Sequence, residues 1–292
     1  MKPFRKIDLH MHSTVSDGTD TPEALLAHVR AAGIELFSVT DHDAILCGTD
    51  IPKLLKAGDP CFVSGVEFSC RDEEGKYHIL GYGCDPEADA IRRTVEYGHA
   101  LRMRKVTARL DFLKTEFGFD FPQKEIAKLL AQDNPGKPHI GNLMVQYGYA
   151  ASKESAIRDY IDQAKIKSEY LRPEDAIRSI LESGGVPVLA HPFYGSGDQL
   201  ILGEEMDARI RRLMGFGLRG LEAFYSGFTE KLRNQALSLA ERYGLYITAG
   251  SDYHGKNKLV ALGDTGLDGA DNCPDGLRRF LEAVKIYEGA AD

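Results

Sequence analysis

Residues 6–18 read KIDLHMHSTVSDG, a short apolar run that passes directly into two histidines. His10 and His12 are two residues apart, so on a regular strand both side chains point to the same face. Two ligands of one metal ion need that arrangement, although an HxH pair alone is as common in ordinary packing as in metal sites. Asp17 follows in a Ser-Asp-Gly turn, where a turn-capping role is the simpler interpretation. The stretch predicts a strand whose carboxyl end carries candidate metal ligands.

Further runs rich in aliphatic or β-branched residues follow along the chain. The predicted strands cover residues 6–10, 36–40, 62–67, 77–82, 186–190, 220–225 and 246–250. Helices with recognisable ends lie between several of them, from Pro22 after the N-cap Thr21, over 173–183, and over 229–243. Strands that alternate with helices predict a parallel sheet, and 292 residues fit a barrel of about 250 residues with an insertion. We therefore expect an α/β fold whose seven strands close into a barrel.

The middle of the chain changes to helix-like segments, such as KEIAKLLAQ at 124–132. Residues 87–166 carry 13 Lys and Arg against 11 Asp and Glu, whereas the rest of the chain has 23 against 33. The acidity of the protein therefore belongs to the rest of the chain. We interpret 87–166 as a mostly helical insertion domain in a barrel formed by residues 1–86 and 167–292.

The composition excludes several classes of protein. With 43% hydrophobic and 27% charged residues, the chain resembles an ordinary globular protein. A net charge of -8 argues against binding duplex nucleic acid, which depends on a Lys and Arg surface. No run is apolar enough for a membrane span or a signal peptide, and the five cysteines form no CxxC pair. We expect a cytoplasmic protein with no membrane association and no obligate protein partner.

Nine residues of metal-ligand type lie at or near the ends of the predicted strands: His10, His12, Asp17, His42, Glu67, His78, His191, Asp252 and His254. Imidazole nitrogen and carboxylate oxygen together suit zinc, manganese or iron. One ion would leave most of these residues idle, whereas three ions need about nine ligands with shared carboxylates. For His42 a surface turn, and for Glu67 a salt bridge, are the alternatives. His78 lies inside its predicted strand, so that strand must start or bend differently.

The motifs DLHMHSTVSDG, SVTDHD, GVEFS, AHP and GSDYHG follow one another in this order. They resemble the motifs of the polymerase and histidinol phosphatase (PHP) family, and the resemblance spans both halves of the predicted barrel. It implies a phosphoesterase that depends on three divalent metal ions, built on a distorted (β/α)7 TIM-like barrel with a helical insertion.

Carried over by motif, the resemblance also implies the ligands of each ion. His10, His12, Glu67 and Asp252 would hold the first, Glu67, His78 and His191 the second, and Asp17, His42 and His254 the third. The ions would be manganese, iron or zinc, and Glu67 would bridge the first two. Glu67, His191 and Asp252 would then position the attacking hydroxide between the metals.

Substrate contacts follow from the same resemblance. The family carries Arg-Pro-His or Arg-x-His where this chain has Lys137-Pro138-His139, so Lys137 and His139 are expected to bind substrate phosphate, with Arg104 as a further candidate. Relatives that hydrolyse nucleoside bisphosphates continue His-Pro with Gly-Arg, whereas Phe193 and Tyr194 stand here. A guanidinium clamp on phosphate is therefore missing or is supplied from elsewhere.

The expected activity is hydrolysis of a phosphate monoester in a nucleotide, a nucleoside bisphosphate or a short single-stranded oligonucleotide. Histidinol phosphate is an alternative substrate of the same class. An amidohydrolase that cleaves carbon-nitrogen bonds also opens with HxH, but Glu67 fills the bridging position that a lysine often takes there. A non-catalytic metal-binding module is the third alternative, and it is disfavoured because all nine ligand positions are filled.

Overall fold

The computed structural model describes residues 4–166, 169–195, 199–267 and 273–289. Within these residues the strands form two sheets. The first sheet is parallel, and its order is β1 (Ile7–Asp8), β2 (Leu36–Phe37) and β3 (Cys61–Phe62). The second has the order β4 (Gly65–Asp72), β5 (Gly75–Tyr82), β6 (Val186–Leu189), β7 (Gly220–Tyr225) and β8 (Tyr246–Gly250).

The α/β class is confirmed, but the closed seven-stranded parallel barrel is wrong in strand count, direction and closure. The predicted strand 62–67 is divided between β3 and β4, and β5 runs antiparallel to both β4 and β6. Only two residues connect β4 to β5, which is too short for a parallel crossover. The two sheets adjoin at isolated bridges, Met11 with Tyr253 and His42 with Glu67, and the described strands do not form one continuous ladder.

The division between β3 and β4 lies where the chain packs against the end of β2. A Cβ atom on Gly65 would lie 2.3 Å from the Ser38 hydroxyl and 2.7 Å from the Thr40 methyl carbon. Only glycine fits such a close approach of two segments. This contact holds the start of β4 beside the segment that carries His42.

Helices surround the sheets. They are α1 (Pro22–Ala31), α2 (Leu46–Leu54), α3 (Asp89–Phe117), α4 (Gln123–Leu130), α5 (Lys137–Gln146), α6 (Lys153–Asp159), α7 (Pro173–Glu182), α8 (Gly203–Phe216), α9 (Glu230–Tyr243) and α10 (Asp275–Ala283). The predicted helix ends are confirmed: the hydroxyls of Thr21 and Thr229 accept backbone N–H groups, and α9 ends at Gly244 with a φ of 65°. No helix among these residues is both long and apolar enough to cross a bilayer.

Helices α3 to α6 lie in the segment predicted as an insertion and share a hydrophobic cluster of their own, which includes Val106, Leu110 and Ile140. The start of α3 packs on the rest of the protein, because Ile91 belongs to the main core and the Ser179 hydroxyl donates to the Ala90 carbonyl. The division into two domains stays a prediction. Its boundary at residue 167 and the chain ends at 1 and 292 lie outside the described residues.

Candidate metal centre

All nine predicted ligand residues lie together at one edge of the two sheets. Most of them follow the carboxyl end of a parallel strand, which is where such folds gather functional side chains. The segments after β1 and β2, the strands β4 and β5, and the segments after β6 and β8 contribute His10, His12, Asp17, His42, Glu67, His78, His191, Asp252 and His254.

His78 reaches this edge because β5 is antiparallel. The amino-terminal half of an antiparallel strand lies beside the carboxyl ends of its parallel neighbours. His78 is accordingly paired with Ser69 of β4, and its carbonyl accepts the N–H of Ala190, one residue before His191. The irregularity expected of the strand around His78 is thus a reversal of strand direction.

Glu67 lies at the centre of the cluster and is almost fully buried. Its two carboxylate oxygens lie within 3.4 Å of five imidazole nitrogens. The partners are His78 at 2.9 Å, His42 at 3.1 Å, His191 at 3.2 Å, His12 at 3.3 Å and His10 at 3.4 Å. Burial would raise the pKa of Glu67, but the surrounding imidazoles hold it well below the usual range.

The two aspartates complete the cluster on its other side. One oxygen of Asp252 lies 3.3 Å from His12 and 3.4 Å from His254. One oxygen of Asp17 lies 3.3 Å from His254 and 4.0 Å from His42. Burial opposes ionisation of both acids, yet the neighbouring imidazoles lower the pKa of each well below its usual range. The charged form of the carboxylates, which binds cations, is therefore favoured.

Five buried atoms of the cluster have no hydrogen-bond partner among the described residues: Nε2 of His10 and His12, Nδ1 of His42, Oδ1 of Asp17 and Oε2 of Glu67. Buried polar atoms without a partner are rare in native proteins and ask for an explanation such as a bound ion. Ligand atoms within 4.8 Å of one another form three overlapping sets. They are His12, Asp17, His42 and His254; His10, His12 and Glu67; and His42, Glu67 and His78. This donor set fits divalent metal ions.

Strained backbone marks the same place. Asp43, His191 and Asp252 have φ values of 48°, 27° and 57°, and no other non-glycine residue among those described has a positive φ. Each such conformation costs about 1 to 3 kcal/mol and persists only where the surroundings enforce it. Two of the three residues belong to the cluster, and Asp43 follows His42 directly.

Two further buried carboxylates orient the histidines. Glu222 was not predicted: its Oε1 lies 2.8 Å from Nδ1 of His10, and its Oε2 accepts the backbone N–H of His191 at 2.7 Å. A fully buried acid within the apolar strand GLEAFY was the available signal. Asp41 accepts the hydroxyl of Ser16, which in turn lies 3.3 Å from Nδ1 of His12.

A cavity of about 310 Å³ opens beside the cluster. Asp17, His42 and His78 line one side of it, and basic side chains from the helical segment line the other. The basic residues of this segment are Arg102, Lys105 and Arg109 on α3 and Lys137 at the start of α5, and the exposed Lys76 of β5 also lines the cavity. A larger cavity of about 670 Å³ between α8 and α9 contains none of the nine cluster residues.

The three residues predicted to bind phosphate differ in their position relative to this cavity. Lys137 lines the cavity and pairs with Asp162. His139 is half-buried near Asp17, and its Nδ1 accepts the N–H of Gly136. Arg104 does not line the cavity: its side chain is 70% exposed and lies 3.6 Å from Glu169, so the structure does not support a role in phosphate binding. Arg102, two residues before Arg104, was not predicted; it lines the cavity and donates a hydrogen bond to Asp43.

Comparison with known proteins agrees with this geometry. A family model for the PHP domain matches residues 8–212. A phosphoribosyl 1,2-cyclic phosphate 1,2-diphosphodiesterase of Eggerthella lenta is 33% identical over 258 residues, which cover 85% of this chain and 94% of that protein. A 3',5'-nucleoside bisphosphate phosphatase of Chromobacterium violaceum is 30% identical over 263 residues, with 85% and 87% covered. A solved structure from Bifidobacterium adolescentis, assigned as a metal-dependent phosphoesterase, has a TM-score of 0.79 at 26% identity and 96% coverage of both chains.

A buried cluster of imidazoles and carboxylates beside a basic cavity defines a metal-dependent phosphoesterase, and the chain is an enzyme of this class. Because the family match covers well over half of its length, the chain belongs to the PHP domain family. The family resemblance drawn from the sequence motifs is thereby confirmed.

Proposed function

We propose that this enzyme removes a phosphate monoester from a nucleotide, a nucleoside bisphosphate or the end of a short single-stranded oligonucleotide. The observation that carries the proposal is the position of the cluster: its unpartnered donor atoms adjoin a cavity whose opposite wall is basic. A ligand that spans this cavity must bind metal on one side and cationic side chains on the other, and a phosphate group does both. The names of the two relatives above support a phosphate ester of a ribose-containing substrate.

Three divalent ions, manganese, iron or zinc, are proposed as cofactors. His10, His12, Glu67 and Asp252 would hold one, Glu67, His78 and His191 a second, and Asp17, His42 and His254 a third. Bound there, such ions supply an acidified water near neutral pH and neutralise the charge of a phosphoryl group. The three overlapping ligand sets contain seven of these nine residues. The other two adjoin them, with His191 3.2 Å from Glu67 and Asp252 3.3 Å from His12, and these contacts support the proposal.

The chain's own residues hold the substrate. Arg102 is fixed by two contacts to Asp43, and Asp43 is fixed by the N–H of Ser69, so this guanidinium is presented rigidly at the edge of the cluster. It is suited to bind the phosphate that reacts, together with Lys137 and His139. Burial lowers the pKa of His139, so at neutral pH this imidazole is uncharged and can donate only one hydrogen bond.

We also propose that residues 87–166 act as the substrate-binding insertion of the enzyme. The metal ligands come from the two sheets and the segments that follow their strands, whereas the basic wall comes from α3 and α5. The sheets and the segments after their strands would then bind the metal ions, and the helical insertion would select the substrate.

Phosphate release from a substrate panel tests the proposal. The panel contains nucleoside monophosphates, a nucleoside 3',5'-bisphosphate, a cyclic phosphodiester, histidinol phosphate and a 5'-phosphorylated dinucleotide, each with manganese, iron or zinc. We expect turnover of one or more nucleotide substrates by the wild type and its loss in Glu67→Gln and His191→Ala. Glu241→Gln, the same type of change at an exposed site on α9, is the control. No release from any of these esters with any metal, by folded and metal-loaded protein, would overturn the proposal.

A further inference from the structure

The basic face of α3 continues beyond the residues that adjoin the metal cluster. Arg102, Lys105 and Arg109 are spaced i, i+3 and i+7, so they lie on one face of the helix and line the same cavity. Arg102 is next to the cluster through Asp43. Arg109 lies two helical turns further on, a rise of about 10 Å along the axis.

Lys105 and Arg109 have no acidic partner among the described residues, although both side chains are half-buried. The Nζ of Lys105 lies 3.3 Å from the centre of the Tyr170 ring. Burial lowers the pKa of Lys105 to about 8 and also lowers that of Arg109. Charged groups removed from water are normally paired, and neither cation forms an ion pair with a described residue, so the two together are suited to bind an anion.

The basic wall of the cavity carries more positive than negative charge, which favours binding of an anion. The carboxylates that act on Lys105 and Arg109 are already in ion pairs, Asp43 with Arg102 and Asp162 with Lys137. Lys105 and Arg109 then leave two positive charges unmatched on this wall. A phosphate monoester carries about 1.5 to 2 negative charges at neutral pH and would balance both cations, whereas a phosphodiester, with one ionisable oxygen, would balance one of them.

We propose that Lys105 and Arg109 form a subsite for a second phosphate group of the substrate, separate from the phosphate that reacts at the metal cluster. The proposal rests on the proposed function, because it takes the reacting phosphate to lie beside Arg102. Two kinds of molecule offer this chemistry: a bisphosphorylated nucleoside, and an oligonucleotide whose next phosphodiester follows the one at the cluster. In either case the subsite would favour substrates with two phosphates over substrates with one.

The test compares ratios of kcat/KM in the manganese-loaded full-length enzyme. The first arm pairs adenosine 3',5'-bisphosphate with the 3'- and 5'-monophosphates, and the second pairs a 5'-phosphorylated dinucleotide with the 5'-mononucleotide. We expect Arg109→Met and Lys105→Met each to lower the preference for the doubly phosphorylated member by about tenfold or more, the range of a hydrogen bond between charged groups. Arg109→Lys should retain part of the preference, and the arm that responds identifies the type of substrate.

Arg104→Met is the matched control, since it removes a cation from the same helix on its exposed side. Its ratio should equal that of the wild type, and unfolding midpoints of all variants show whether α3 is intact. The inference is wrong if the wild type hydrolyses both members of a pair and the two Met variants leave the ratio unchanged or lower both rates equally. Absence of any hydrolysis by the wild type would instead refute the proposed function.

Discussion

Replacing Glu222 with glutamine should weaken metal binding without unfolding the protein. The carboxylate of Glu222 can only accept hydrogen bonds, so Nδ1 of His10, 2.8 Å away, carries the proton. Nε2 of His10 then presents a lone pair toward Glu67 and Asp252, at 3.4 and 3.5 Å. Glutamine has one oxygen, which the N–H of His191 requires, and its amide group would face Nδ1 of His10 with a donor. The proton would move to Nε2, and the metal-binding tautomer would be lost.

The size of this effect follows from groups that orient metal-binding histidines in other proteins. Loss of such a group typically costs 10- to 100-fold in metal affinity or activity, which is about 1.4 to 2.8 kcal/mol. The assay is phosphate release titrated with manganese, together with metal content after dialysis. We expect the activation curve of Glu222→Gln to shift to higher metal concentration, while Glu241→Gln coincides with the wild type. Equal metal affinity and equal activity in Glu222→Gln would refute the tautomer argument.

Three further predictions concern the helix, the pH dependence and the metals. In Gly98→Ala the new Cβ would lie 3.1 Å from Asp43, so α3 or Asp43 must shift and kcat/KM should fall. In the control Gly215→Ala the new Cβ meets no atom within 4 Å, and kcat/KM should stay unchanged. Phosphate-release kinetics of both variants test this prediction. The preference for doubly phosphorylated substrates should decline as pH rises through about 8, since Lys105 loses its charge there, and Lys105→Arg should keep it at pH 9. Manganese at 100 times its dissociation constant should raise the free energy of unfolding by about 2.7 kcal/mol, and a chelator should reverse the rise in Tm.

The sequence predicted the strands and helices better than their arrangement. Hydrophobic runs and caps located most elements, because those signals are local. The direction of β5 is not a local property. The antiparallel pairing of β4 and β5 depends on a connection of two residues, whereas the predicted strands 62–67 and 77–82 are separated by nine residues. Extending 62–67 through the polar residues to Asp72 would have revealed a hairpin, but Arg71 and Asp72 do not look like strand interior.

The site was also predicted only in part, because local sequence signals located the candidate ligands but not the helix face that lines the cavity. Strand ends and motif order placed the nine candidate ligands, and the structure brings them together, although their roles as ligands stay predictions. Of the basic wall only Lys137 was predicted, because the choice of Arg104 on α3 did not follow the 3.6-residue period of the helix. Arg102, Lys105 and Arg109 satisfy that period and face the cavity, whereas Arg104 lies on the opposite side.

The same helix explains why the cavity needs both parts of the chain. One face of α3 is apolar and packs through Val106 and Leu110 into the cluster of the helical segment, which fixes the rotation of the helix about its axis. That rotation turns Arg102 toward Asp43, whose backbone N–H is itself held by the Glu67 carbonyl. Burial of apolar side chains in the helical segment thus determines where the basic side chains of α3 lie relative to Glu67. Changes in the apolar face of α3 should therefore alter substrate preference before they alter metal binding, because the candidate ligands belong to the sheets and their following segments.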